Sequence, residues 1–331
     1  MNSPLPGIRA ASQPANLIDT IQAGFNLVNR TPWLLLIPLA LDLLIWLGPQ
    51  LTVGSLLEQV LSDASALVSP DQPGASATQE QTGALIKIIR QGEGQSRYNL
   101  LSLISPPPLG IPSFATTGSG RGPALPVSSF AAAVGLGVAF VALGLVLTAL
   151  FHGLIGQVVR EGAVSLRAFA EEFRPLVLRL IGLFGVSAAG LLLFSVPLGM
   201  VSILPEAAFP IRSLVGSVLL GVALWIIVYL FFAPEAVYVT RLGPIEAIKA
   251  SWLTVRHNLW SALGIIGLIF VISYGFEVIW SGLANMLREP GVVLAICGHI
   301  YISTGLTAAS MTYYKERFDR LPQTQTVPNL E

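Results

Sequence analysis

Three ionisable residues, Asp42, Glu277 and His299, stand inside runs that are otherwise apolar. A charged group in hydrocarbon costs about 2.5–3.5 kcal/mol on insertion scales, so each one marks either a function or a local partner. Asp42 lies mid-way along "TPWLLLIPLALDLLIWLGPQLTV" (31–53), and Glu277 near the end of "LWSALGIIGLIFVISYGFEVIWSGL" (259–283). His299 falls within "GVVLAICGHIYISTGLTAASMTYY" (291–314). At about 1.5 Å of rise per residue, Asp42 and His299 are expected at similar depth, with Glu277 shallower. Two acids and a histidine at such depths could shuttle protons or bind a cation. The alternative is that each hydrogen-bonds a neighbouring hydroxyl or a freed carbonyl and fixes packing. Pro38, four residues before Asp42, frees one such carbonyl. His152 and Glu235 sit near the ends of their runs, where an interfacial position accounts for both.

Other chemistry finds no foothold. The chain has 3 histidines and 1 cysteine, Cys297, the latter inside an apolar run. Neither a cysteine-based metal cluster nor a histidine-based metal site is expected. There is no His-Glu-x-x-His, no Gly-x-Ser-x-Gly and no Walker lysine, and "GSGRG" (118–122) lacks the context of a phosphate loop. The reading is no enzyme, no cofactor and no metal. A net charge of zero argues against a nucleic-acid partner.

The elements that must hold these residues can be read from composition. Charged residues make up 11% of the chain and apolar ones 53%, and the mean hydropathy is +0.72. Soluble domains carry about 25% charge, so much of this surface is expected to face lipid. A span needs roughly 20 predominantly apolar residues. Besides 31–53, 259–283 and 291–314, the stretches 128–153, 180–204 and 213–239 qualify. The expectation is an all-α integral membrane protein with six transmembrane helices in three hairpins, forming one membrane domain over 1–331. With the N-terminus inside, the short inner segments hold twelve Lys and Arg and the short outer ones only Arg212 and Arg288. Both termini, 1–31 and the tail 315–331, are therefore expected in the cytoplasm. Residues 54–128 form a long extracytoplasmic loop with a polar linker at 70–83. Residues 1–31 contain no apolar core of a cleavable signal, so the first span is expected to direct insertion.

Three of the inner segments share a pattern. Ile245, Ile248, Trp252 and Val255 are spaced 3, 4 and 3, which places them on one helical face. Ile18, Ile21, Phe25 and Val28 repeat that spacing, and a shift of 227 residues aligns Trp33 with Trp260. Leu166, Phe169, Phe173 and Leu176 form a fainter third copy. Each hairpin is thus expected to be preceded by a cytoplasmic amphipathic helix lying at the interface, with the chain turning inward at Pro32, Pro175 or Asn258. Phe25, Trp33, Phe173, Trp252, Arg256 and Trp260 mark these elbows.

The run "FFAPEAVYVTRLGPIEAIKASWLTVRHNLWSALGII" (231–266) resembles uncharacterised bacterial multi-pass proteins related to the membrane domain of glycerophosphodiester phosphodiesterases. Its marks are an aromatic-Pro span end, "LGPIEAIKASW", an Arg, and a Trp opening the next span; "TYYKERFDRLP" is similar to the family's close. The resemblance covers the last third and implies a six-span fold in the bacterial inner membrane. It implies no enzymology, because no soluble stretch is long enough for the catalytic barrel. Two functions stay open: membrane organisation as a component of an assembly, or a small transporter using Asp42, Glu277 and His299. The partners expected are the lipid bilayer and either other proteins or further copies of the chain.

Overall fold

A computed structural model describes residues 16–66, 82–84, 86–87, 99–105, 110–116, 120–202 and 209–321. Among them are ten α-helices: α1 (Leu17–Arg30), α2 (Leu36–Leu47), α3 (Gly54–Ala66), α4 (Phe130–Glu161), α5 (Leu166–Ser202), α6 (Phe209–Leu230), α7 (Ala233–Thr240), α8 (Pro244–His257), α9 (Leu259–Leu287) and α10 (Glu289–Phe318). Five spans are long and apolar enough to cross a membrane, formed by α4, α5, α6 with α7, α9 and α10. A sixth is counted if the bent pair Leu17–Arg30 and Pro32–Leu47 is one span. This is the architecture of a multi-pass membrane protein.

α1 is no isolated surface helix. It packs antiparallel along α10, with Gly24 against Gly305 and Ala309, and Phe25 and Asn29 against Tyr301. A Cβ at Gly24 would collide with the Gly305 carbonyl and the Ala309 amide, so only glycine allows this approach. The residues turned inward are Thr20, Gly24 and Val28, while Ile18 is 75% exposed. α8 does the same with Ala247, Ala250, Ser251, Thr254 and Val255 inward and Ile245 and Trp252 half exposed. In both helices the small residues face protein, and part of the bulky apolar stripe faces out.

Both helices end alike. Thr31 closes α1 at φ −130°, ψ 55°, and Asn258 closes α8 at φ −129°, ψ 34°. Each side chain donates to the carbonyl four residues back, Thr31 to Leu27 at 2.8 Å and Asn258 to Thr254 at 3.1 Å. A short polar side chain competes for a carbonyl of the last turn and lets the helix stop. After Thr31 the chain turns by 89°.

The expected third turn is absent. α5 runs without a break from Leu166 through Pro175 and Pro197. At the position that the spacing aligns with Thr31 and Asn258 stands Arg179, a good helix former with no short competing hydroxyl or amide. Leu176, Leu180 and Leu183 are buried in helical register across the site, so packing holds the helix together.

The long segment after α2 is tied back to the bundle. β1 (Gln50–Thr52) pairs in parallel with β2 (Ala124–Pro126). The Asn99 side chain donates to Gln50 Oε1 at 2.9 Å and accepts from the Leu51 and Leu101 amides. Gly122 lies where a Cβ would strike the Gly48 carbonyl. Ile104, Ile111 and Phe114 are buried, so this part of the loop enters the core. By contrast, no described residue from Phe184 to Phe231 is buried: the far half of α5 and most of α6 stand away from the rest, and α6 returns to the core only at its end, where Val228 and Tyr229 pack against it.

Candidate intramembrane site

The three ionisable residues singled out from the sequence do not form one cluster. Asp42 is fully buried in α2 and accepts hydrogen bonds from the Ser113 hydroxyl and, at 3.1 Å, the Phe114 amide. It thereby satisfies non-helical backbone inside the bundle, which is tolerated at such depth only where protein covers it. Phe114 carries the contact onward, its ring 5.9 Å from that of His299. Among the described residues no hydrogen bond joins Asp42 to His299, and Glu277 stays half-buried on α9, one turn beyond Ser273.

His299 instead faces a cavity of about 290 Å³ between α7, α9 and α10, with Pro112 of the inserted loop in its wall. Its polar lining comprises Glu235, Ser273, His299, Ser303, Thr307 and Ser310; Phe231, Ile269 and Leu306 complete it. Four of these residues come from one face of α10, at spacings of 4, 4 and 3. His299 Nε2 is 3.3 Å from the Ser303 hydroxyl.

Glu235, which its place near a span end assigns to the interface, belongs to this site instead. It sits in the first turn of α7, which starts where the helix breaks at Phe231 and Phe232, and the helix dipole there favours a carboxylate. Ser251 of α8 staples that break: it donates to the Tyr229 carbonyl at 2.7 Å and accepts from the Phe232 amide at 3.1 Å. Trp252 stacks on Tyr229 at 4.1 Å beside it. α8 thus holds the break from which α7 and Glu235 start. One carboxylate oxygen accepts from Ser310 at 2.6 Å, whereas Oε2 is buried and has no partner among the described residues. Tyr238, one turn on, also carries a buried hydroxyl without a partner among the described residues and stacks on His152 at 5.2 Å between centroids.

Comparison with known proteins adds no relative. No family model, no curated protein and no solved structure matches the chain. Its function is therefore read from this geometry and from the motif residues themselves.

Beyond Tyr238 the site gives way to charge. Arg160 donates to the Tyr238 carbonyl and pairs with Glu172 at 3.1 Å, and Arg241 pairs with Glu161 at 3.3 Å and with Glu172. Lys315 reaches the Val159 and Arg160 carbonyls at the end of α4. These contacts tie α4, α5, α7 and α10 together at one end of the bundle. The elbow residues are distributed around the molecule. Trp33 and Trp260 are 41% and 84% exposed, and Arg256 is exposed. Phe173 pairs with Phe169 at 5.6 Å on the unbroken α5, and Phe25 is wedged beside Gly305.

A signal for this cavity is present in the sequence. "HIYISTGLTAAS" (299–310) carries His, Ser, Thr and Ser at helical spacing, a polar stripe in a run otherwise suited to lipid.

Proposed function

We propose that this chain is a six-span protein of the bacterial inner membrane, with both termini cytoplasmic, acting as a component of a membrane assembly. The excess of Lys and Arg in the inner segments supports the orientation. The matched ends of α1 and α8, 227 residues apart, support two amphipathic elbows descended from one repeated unit. Outward-facing Trp33 and Trp260 fit the interface, and the motif resemblance at 231–266 agrees with this architecture.

One observation carries the assembly reading: the arm from Phe184 to Phe231 has no buried residue among those described. Helices in lipid associate through close packing of small residues rather than through the hydrophobic effect. Gly185, Gly190, Gly216 and Gly221 leave open space along this arm, ready for a neighbouring helix. Cysteine cross-linking in native membranes tests it, in a background where Cys297→Ser removes the native thiol. Val218→Cys on α6 is expected to give dimers or larger adducts, and Val271→Cys on α9 is not. Absence of any adduct from positions 214, 218 and 222 would rule the assembly reading out.

A second reading, passage of a small solute, is favoured by the cavity at Glu235 and His299. It no longer needs Asp42 or Glu277.

A further inference from the structure

We infer that the cavity beside Glu235 is a binding site for a single monovalent cation, an alkali ion or a small primary ammonium. Glu235 Oε2 is buried and accepts no hydrogen bond from any described residue, and no Lys or Arg lines the cavity. A carboxylate with one oxygen buried and without a donor favours uptake of a positive charge, either a proton or a cation. A proton needs no room. Here Glu235 lines about 290 Å³ of space, enough for several waters at about 30 Å³ each.

The lining is suited to a hard cation. Ser273, Ser303, Thr307 and Ser310, all hydroxyl-bearing, line the space, and Ser310 already spends its proton on the other oxygen of Glu235. Oxygen donors of this kind suit alkali ions and ammonium groups, not soft metals. Valence is set by charge count. Divalent sites gather several carboxylates, and Glu235 is the sole acidic residue of this wall. The break before α7 and its staple by Ser251 fix the carboxylate, so the site is held by secondary structure rather than by a loop.

The site concerns binding, and rests on the transport reading only for its location. Binding without flux in proteoliposomes would remove transport and leave the site standing. The decisive measurement is thermal unfolding of the full chain in mild detergent. Sodium, potassium, methylammonium and choline chlorides are compared at equal ionic strength. At least one of the three compact cations is expected to raise the midpoint by about 2 °C or more over choline. That rise is expected to vanish in Glu235→Gln. A response to sodium or potassium alone assigns an alkali ion, and a response to methylammonium an ammonium. Equal midpoints in all four salts, or a rise that survives Glu235→Gln, would overturn the proposal. Should Glu235→Gln fail to fold, the double variant Ser303→Ala, Thr307→Val serves instead. An undiminished rise there overturns the proposal equally.

Discussion

Asp42 and Glu235 are both carboxylates inside the bundle, and they have opposite surroundings. Asp42 is held by a hydroxyl and a backbone amide from a loop that folds in to meet it, with no space left over. Glu235 has one oxygen bonded and the other bare, beside an open cavity. Burial alone therefore does not identify a working group; the count of satisfied lone pairs does. The first residue is a latch and the second a site.

Substitutions separate the two roles. The largest effect is expected from Asp42→Ala, which strands both the Ser113 hydroxyl and the Phe114 amide in the core. A loss of roughly 3 kcal/mol is expected, read as a lower unfolding midpoint and faster proteolysis of the inserted loop. Asp42→Asn keeps an acceptor for Phe114, and its amide can donate to a rotated Ser113 hydroxyl. It should therefore cost no more than about 1 kcal/mol. A collapse of Asp42→Asn would mean that its charge, not its hydrogen bonding, holds the loop. Glu235→Gln is expected to be neutral or stabilising by up to about 1 kcal/mol in choline buffer, since it removes a buried charge and keeps the Ser310 bond. A strong destabilisation by Glu235→Gln would place both carboxylates in the same structural class. The smallest effect belongs to His299→Leu, whose only side-chain hydrogen bond among those described is to Ser303. A change under about 1 kcal/mol is expected in the same unfolding assay.

Much of the helical layout is legible in apolar run length, because a bilayer fixes how long a span must be. The short helices α1 and α8 are legible too, in the 3, 4, 3 spacing of Ile18 to Val28 and of Ile245 to Val255. The third fails because Pro175 cannot stop a helix that buried leucines hold together. The face of α1 that packs on α10 is not readable from spacing. Apolar periodicity draws attention to Phe25, while the contact depends on Gly24, which has no side chain to show. The pairing of β1 with β2 is out of reach as well, since three-residue strands carry almost no periodicity. Glu235 misleads for a related reason. Its place near a span end suggests an interface, but α8 staples the break before it, and its carboxylate turns onto Ser310 of α10.

The seating of Gly24 against Gly305 bears on how the protein is made. The first of these helices leaves the ribosome long before its seat on α10 exists, so α1 must wait, unpartnered, while every span between them is inserted. Completion of the bundle is therefore a closing of the chain upon itself, and any product truncated before Gly305 exposes a bare glycine face.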